Sequence, residues 1–273
     1  EGKSNEVVAK ASEVTSANPF SSELFNLIAV AHAKEKIFDQ AIVYYKKSLR
    51  LNPNRSSTYN NLGSAYNAIG DLEKAISQYK TAIALDPKFA IAYINLGKAY
   101  EKLRRLTEAK DCLEKAISLD ADNFDAYNSL GAIYLEEGNG GIAAEHFKKV
   151  IAIKPDFVEA YNNLSLAFVE CKQTDDAKKI LDSAIKIKPD FGHLHLGLAQ
   201  LTKYDRSNEH LRLMLELCET NRLSKGDRCQ VHFAIGKAFE DLGDFQGSYD
   251  HYSKGNELRA IHERFNAIRF LRL

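Results

Sequence analysis

The sequence has no tryptophan, one methionine, five prolines and four cysteines among its 273 residues. It also lacks any unbroken apolar run near the 18 or so residues of a membrane span, its densest patch being the short stretch Leu27 to Ala31. No membrane-spanning helix is therefore expected within these residues. Neither sign of charge is in excess: 37 basic side chains balance 37 acidic ones. No whole-chain field exists to attract nucleic acid or an anionic membrane, and neither is expected as a partner. Cys112, Cys171, Cys218 and Cys229 are widely separated, without a CxxC pair. That spacing supports neither a disulfide framework nor a zinc ribbon, and free thiols fit a reducing cytoplasm, the expected location. The start, Glu1-Gly2-Lys3-Ser4-Asn5, has no Met and no signal-like apolar core, and reads as processed or trimmed.

What is present is a composition of 45% hydrophobic and 27% charged residues, enough to fold and bury a core. At about 150 residues per domain the length alone would suggest two domains. The prolines suggest otherwise. Pro19, Pro53, Pro87, Pro155 and Pro189 fall on a 34-residue grid, with Ala121 at the grid point between Pro87 and Pro155. A fixed period of this size marks a repeat array. Units of 34 residues then run at 22–55, 56–89, 90–123, 124–157 and 158–191.

The columns of this register have distinct duties. The fourth position holds Phe25, Tyr59, Tyr93, Tyr127 and Tyr161; the seventh holds Ile28, Leu62, Leu96, Leu130 and Leu164; the eleventh holds His32, Tyr66, Tyr100, Tyr134 and Phe168. These spacings put the large side chains on one face of a helix. Small residues at the eighth position, Ala29, Gly63, Gly97, Gly131 and Ser165, let a neighbouring helix come close. A second amphipathic helix follows, with Ala41, Ala75, Ala109, Ala143 and Ala177 in one column and Tyr45, Tyr79, Leu113, Phe147 and Leu181 four residues on. Between the helices, Gly70-Asp71 and Gly138-Asn139 read as a left-handed helix end followed by a cap, and the proline then stops the second helix. One such hairpin cannot bury its stripe alone, so the units must stack.

These columns resemble the tetratricopeptide repeat (TPR), which implies an all-α fold: a right-handed superhelical α-solenoid of stacked helical hairpins. The segment Val7 to Pro19 looks like the second helix of a truncated earlier unit. The run Tyr59-Asn60-Asn61-Leu62-Gly63-Ser64-Ala65-Tyr66, with Gly70-Asp71, is similar to the repeats of O-linked N-acetylglucosamine transferases. After Pro189 the pattern degrades: Thr202 replaces the aromatic residue and Leu211 the Ala. A good unit returns at 229–262 with His232, Ile235-Gly236, Phe239, Gly243-Asp244, Ser248 and Tyr252. The expected organisation is thus a lead-in and five regular units over 1–191, a degenerate spacer over 192–228, and a final unit with a C-terminal helix over 229–273. Residues 194–260 resemble the end of the repeat region in bacterial tetratricopeptide-repeat sulfotransferases, where a domain using the sulfate donor PAPS would follow.

No such domain is expected within these 273 residues. A phosphate-cradling loop needs a strand, a Gly-rich turn and a helix N-terminus, and the one Gly-rich run, Gly138-Asn139-Gly140-Gly141, follows a helix and lacks GK[ST]. His193 and His195 point apart on a helix, and His195 falls in the aromatic core column, which favours a packed histidine over a metal ligand. No cofactor, metal site or catalytic set is expected, and the chain reads as a non-enzyme. Binding remains. The resemblance implies that the first helix of each hairpin lines a concave groove, where Asn26, Asn60, Asn128 and Asn162, then Asn61, Asn95 and Asn163, adjoin the core aromatic. An amide offers donors and an acceptor to the backbone of an extended peptide, or it can tie the repeats to each other. Lys98 lies in a further groove column, with Val30, Ser64, Ala132, Leu166 and Gln200. The expected function is a scaffold for a protein or extended peptide. The alternatives are substrate recruitment for a sulfotransferase or a glycosyltransferase. The apolar end, Ile268 to Leu273 with Phe270 and Leu271, invites self-association or contact with a following domain.

Overall fold

A computed structural model describes the backbone of residues 21–270 and the side chains of residues 21–260. The expected lead-in helix at Val7 to Pro19 lies outside the described residues, as do Leu271 to Leu273 and the side chains of Ile268 and Phe270. The described residues form fourteen α-helices and no strand. They fall into two compact units, the first ending at Ile133 and the second beginning at Tyr134. The first unit contains the hairpins α1 (Ser22–Lys34) with α2 (Phe38–Leu51), α3 (Ser56–Ala68) with α4 (Leu72–Leu85), and α5 (Ala90–Lys102) with α6 (Leu106–Leu119), then most of α7 (Phe124–Glu136). The second contains α8 (Gly140–Ile153), α9 (Val158–Glu170) with α10 (Thr174–Ile187), α11 (Gly192–Leu201), α12 (Glu209–Glu219), α13 (Lys225–Asp241) and α14 (Phe245–Phe270).

The predicted columns are the cores of the hairpins. Ala41, Ala75, Ala109, Ala143 and Ala177 are all fully buried, and the large residues four positions on, Tyr45, Tyr79, Leu113, Phe147 and Leu181, are at most 2% exposed. The small column explains how the two helices come so close. A Cβ at Gly63 would lie 2.7 Å from the Tyr79 ring, and one at Gly97 would lie 2.9 Å from the Leu113 side chain. Small residue and large residue therefore interlock across each hairpin, and truncating one of these large side chains to Ala would cost about 2–5 kcal/mol.

The turns follow one geometry with different residues. The fifteenth position of each unit is left-handed: Gly70 at φ 85°, Gly138 at 75° and Gly243 at 72°, but also Lys36 and Arg104 at 61° and Lys172 at 60°. Glycine was the sequence cue, yet tertiary packing imposes the same turn on lysine and arginine. Asp71 caps α4 by accepting the Lys74 N–H at 3.3 Å, whereas Asn139, expected to cap α8, makes no such bond. The prolines are similarly dispensable. Helices α2, α4, α8 and α10 end two residues before one, but α6 ends at the same register, at Leu119, where Ala121 stands instead. There Asp120 is extended, at φ −145° and ψ 93°, without a following proline to hold it.

Within the first unit the first helices touch one another, α1 with α3 and α3 with α5, while no comparable contact joins α2 to α4 or α4 to α6. The stack therefore bends toward its first helices, which form the inner face. In the second unit the sixth repeat does not close as a regular hairpin: the close partner of α11 is α13. Their crossing is tight at Gly192, where a Cβ would meet the Asp227 carbonyl oxygen at 2.3 Å, and the Gly192 N–H donates to Asp227 Oδ1 at 2.9 Å. Leu211, at the place of the usual Ala, contributes with Met214, Leu217 and Leu223 to a core shared with Val231, Ala234 and Ile235. Helix α13 starts at Lys225, one turn before the Cys229 start expected from the repeat.

Candidate functional site

Positions 2, 6 and 9 of each first helix lie opposite its packed stripe, since their spacings of four and three keep them on one face. In the first unit that inner face carries Glu23, Leu27 and Val30 from α1, Ser57, Asn61 and Ser64 from α3, and Ile91, Asn95 and Lys98 from α5. Two large apolar side chains stand out of it, Leu27 at 60% and Ile91 at 53% exposed. Neither side chain is among the groove residues expected from the sequence, although Leu27 shares the register of Asn61 and Asn95. The available signal was an apolar residue on the face opposite the core stripe.

The two asparagine columns sit differently. Position 5 points toward the following hairpin: Asn26 Oδ1 accepts from Thr58 Oγ1 at 3.2 Å, and the buried Asn60 accepts through Oδ1 from Asn95 Nδ2 at 2.9 Å. Lys102 Nζ donates to Asn67 Oδ1 at 2.8 Å in the same sense, from one hairpin to the one before it. Position 6 faces the groove. Among the described residues no hydrogen bond engages the half-buried Asn61, and Asn95 is held by one N–H, which leaves its Oδ1 and its second N–H for another partner. Asn60 thereby orients Asn95. Asn128 and Asn163 are half-buried and already engaged within the protein, and Asn162 Oδ1 lies 3.7 Å from where a Gly197 side chain would begin. In the second unit the inner face of α9 exposes Leu166 at 46%.

The groove is sparsely charged. Lys98 Nζ lies 3.5 Å from Asp125 Oδ1, and Arg55 Nη1 lies 3.5 Å from Glu23 Oε1, both near the surface. Burial pushes the Glu101 carboxyl up, opposed by Lys98 and Lys102. Ser64 is occupied: its Oγ donates to the Asn60 carbonyl at 3.1 Å and receives the Tyr79 hydroxyl at 3.3 Å. The open polar groups are thus neutral amides.

A second polar cluster lies in the irregular part of the second unit. His195, fully buried, has its Nε2 2.7 Å from the Pro189 carbonyl and its Nδ1 2.9 Å from His210 Nε2, while His210 Nδ1 is 2.6 Å from the Tyr204 hydroxyl. A carbonyl only accepts, so His195 carries its proton on Nε2. His210 then donates from Nε2, and Tyr204 donates to His210 Nδ1. Every atom of this chain is satisfied with both imidazoles neutral. The column explains its anchor, because Tyr161 at the same register donates to Pro155 O at 2.9 Å. A further pair, His232 and His251, is joined at 3.0 Å between α13 and α14. His195 is therefore packed, as the sequence suggested. His210, its partner, could not be read from the repeat because α12 departs from it. No group of three or more His, Cys, Asp or Glu residues arranged to hold a metal occurs among the described residues.

Models described as tetratricopeptide repeat match residues 22–55 and 90–123, 44–77 and 112–139, and 134–201, and one described as TPR repeat matches 63–103. Among solved structures, the chain is similar to the MamA protein, at 34% identity over 62% of this chain and 92% of that one, with a TM-score of 0.55. It is also similar to YrrB, described as a TPR protein with an unusual peptide-binding site, at 21% identity over 67% of this chain and 95% of that one, TM-score 0.54. MamA of Desulfovibrio magneticus RS-1 matches at 18% identity over 62% of this chain and 95% of that one, TM-score 0.56. The last two likenesses speak for the fold alone. No curated protein matches the sequence.

Proposed function

Because this chain belongs to the tetratricopeptide-repeat family, we propose that it is a non-enzymatic scaffold that holds an extended polypeptide on the inner face of its first helices. The observation that carries this reading is the arrangement in the first unit, where the open amides of Asn61 and Asn95 stand in a weakly charged groove beside the exposed side chains of Leu27 and Ile91. Amides can pair with a peptide backbone whatever its sequence, and the two apolar side chains give alternate residues of that peptide somewhere to rest. The regular hairpins of the first unit do the binding in this reading, and within the second unit 192–228 is a spacer before the last hairpin. A reducing compartment suits the thiols, which are free. Burial pushes Cys112 up to about 11, so it is a poor nucleophile.

The test is selection of extended peptides from a random library on the whole chain, followed by titration of the selected peptides against variants. Two lost neutral hydrogen bonds at about 0.5–1.5 kcal/mol each predict a loss of about 5- to 150-fold for Asn61→Ala with Asn95→Ala. Circular dichroism should be unchanged, since neither amide is in a hairpin core. Unchanged affinity, or failure to select any peptide, would overturn the groove reading.

A further inference from the structure

The second helices part where the first helices meet. In the first unit α1 touches α3, while no comparable contact joins α2 to α4. The joint between the first two hairpins therefore opens, on the side away from the groove, as a cleft of about 300 Å³. Leu49 of α2 and Leu62 of α3, both buried, form its floor, and the rings of Tyr59 and Tyr66 form a wall. Gln78 closes the α4 side. Lys46 and Arg50, one helical turn apart on α2, stand exposed at the rim, and no carboxylate lines the cleft.

Neither rim cation is neutralised within the protein. Lys46 Nζ rests 5.7 Å from the centre of the Tyr66 ring, and among the described residues neither it nor the Arg50 guanidinium makes an ion pair or a hydrogen bond. Lys74 approaches the same ring at 5.6 Å but is held by Asp71. From residue 40 to residue 70 the chain contains Lys46, Lys47, Arg50 and Arg55 and no Asp or Glu, although the charges of the whole sequence balance. The pairing of cations is particular to this joint. In the next three units the registers of Lys46 and Arg50 hold Lys80 with Ala84, Glu114 with Ser118, and Lys148 with Ala152. We propose that this cleft docks an acidic peptide segment of a partner protein. One apolar side chain of the segment rests on the leucine floor against Tyr59 and Tyr66, and carboxylates on either side of it pair with Lys46 and Arg50. The volume lies at the low end for ligand sites and suits a single anchoring side chain. The positive rim then selects an anionic partner, and the apolar floor selects one that is not uniformly charged.

The probes are short acetylated peptides with a central Leu, Phe or Tyr between runs of Glu, titrated into the whole chain by isothermal calorimetry at low ionic strength, where exposed charge pairs are least screened. Saturable binding is expected for at least one of them. Lys46→Gln with Arg50→Gln removes two exposed ion pairs and should weaken it about 2- to 30-fold. Both positions are exposed and glutamine suits a helix, so circular dichroism should not change. A central Gly in the probe should cost about tenfold through the lost apolar anchor. Lys115→Gln with Lys186→Gln, exposed cations elsewhere, should leave binding unchanged. So should Asn61→Ala with Asn95→Ala, which separates the cleft from the groove: either surface can fail alone. Absence of binding by every probe, equal affinity for the central-Gly probe, or the same loss in the Lys115 and Lys186 variant refutes the proposal. Co-sedimentation with phosphatidylserine vesicles that is lost in the Lys46 and Arg50 variant, while no peptide binds, overturns it in favour of a lipid surface.

Discussion

Lowering the pH from about 7.5 to about 5 should destabilise the second unit through its neutral histidines. Desolvation, with repulsion from His195, holds His210 down to about 3, and desolvation, with repulsion from His251, Lys254 and Arg228, holds His232 down to about 4. His195 and His251 are lowered for the same first cause, burial, with Pro189 O and Asp227 opposing at His195 and Asp250 opposing at His251. The geometry agrees, since a proton added to His195 Nδ1 would face the N–H that His210 already donates to it. A base whose folded value is depressed binds fewer protons in the native state. Its contribution is intact above the ordinary value near 6.5 and is lost as the pH falls through that value toward the folded one. At pH 5, about 1.5 pH units below the ordinary value, each strongly depressed histidine costs about 2 kcal/mol, so His210 and His232 together cost about 4 kcal/mol. Glu101 and Asp182, raised by burial, act in the opposite sense but only near the carboxylate range. Urea denaturation followed by circular dichroism across this range measures the loss. Replacing His195 with Tyr and His210 with Leu should remove about half of it, because the tyrosine can donate to the Pro189 carbonyl as Tyr161 does to Pro155. A pH-independent midpoint in the unaltered chain, or the same slope in the variant, would refute the neutral-relay argument.

Two further predictions concern the hairpins. Ala109 is fully buried beside the tight Gly97 to Leu113 approach, so Ala109→Leu should overpack the third hairpin and destabilise by about 1–3 kcal/mol, read from the shift in a denaturation midpoint. An unchanged midpoint would contradict the close-packing assignment. Lys36 is held at φ 61° on the surface, and Lys36→Gly should stabilise by about 0.5–1 kcal/mol by relieving a left-handed side chain. Destabilisation would show that the turn depends on the lysine itself.

Much of the fold could be read from the columns, because a residue packed between two helices must suit both. Ala at the twentieth position and a large residue at the twenty-fourth recur for that reason, and they are the buried cores. The candidate site was only half readable. Asn60 and Asn61 are neighbours in sequence and look alike in the pattern, yet one is buried against Asn95 and the other is open. A 100° step along a helix separates an inter-hairpin bond from a groove surface, and only the placement of the next hairpin says which is which. The left-handed turns at Lys36, Arg104 and Lys172 were hidden because nothing in those residue types asks for that backbone.

The amino-acid sequence by itself determined the all-helical hairpins, their register and the family, since a 34-residue period of small and large side chains admits one way of interlocking. Tertiary structure alone decided where polar groups end up. It paired His195 with His210 across an irregular segment, turned Asn26 and Asn60 into ties, left Asn61 open, and exposed Tyr249 where Ile42, Ile76 and Ala144 at the same register are buried. The physical reason is that periodicity constrains contacts repeated in every unit, whereas hydrogen bonds across joints depend on which neighbour is present.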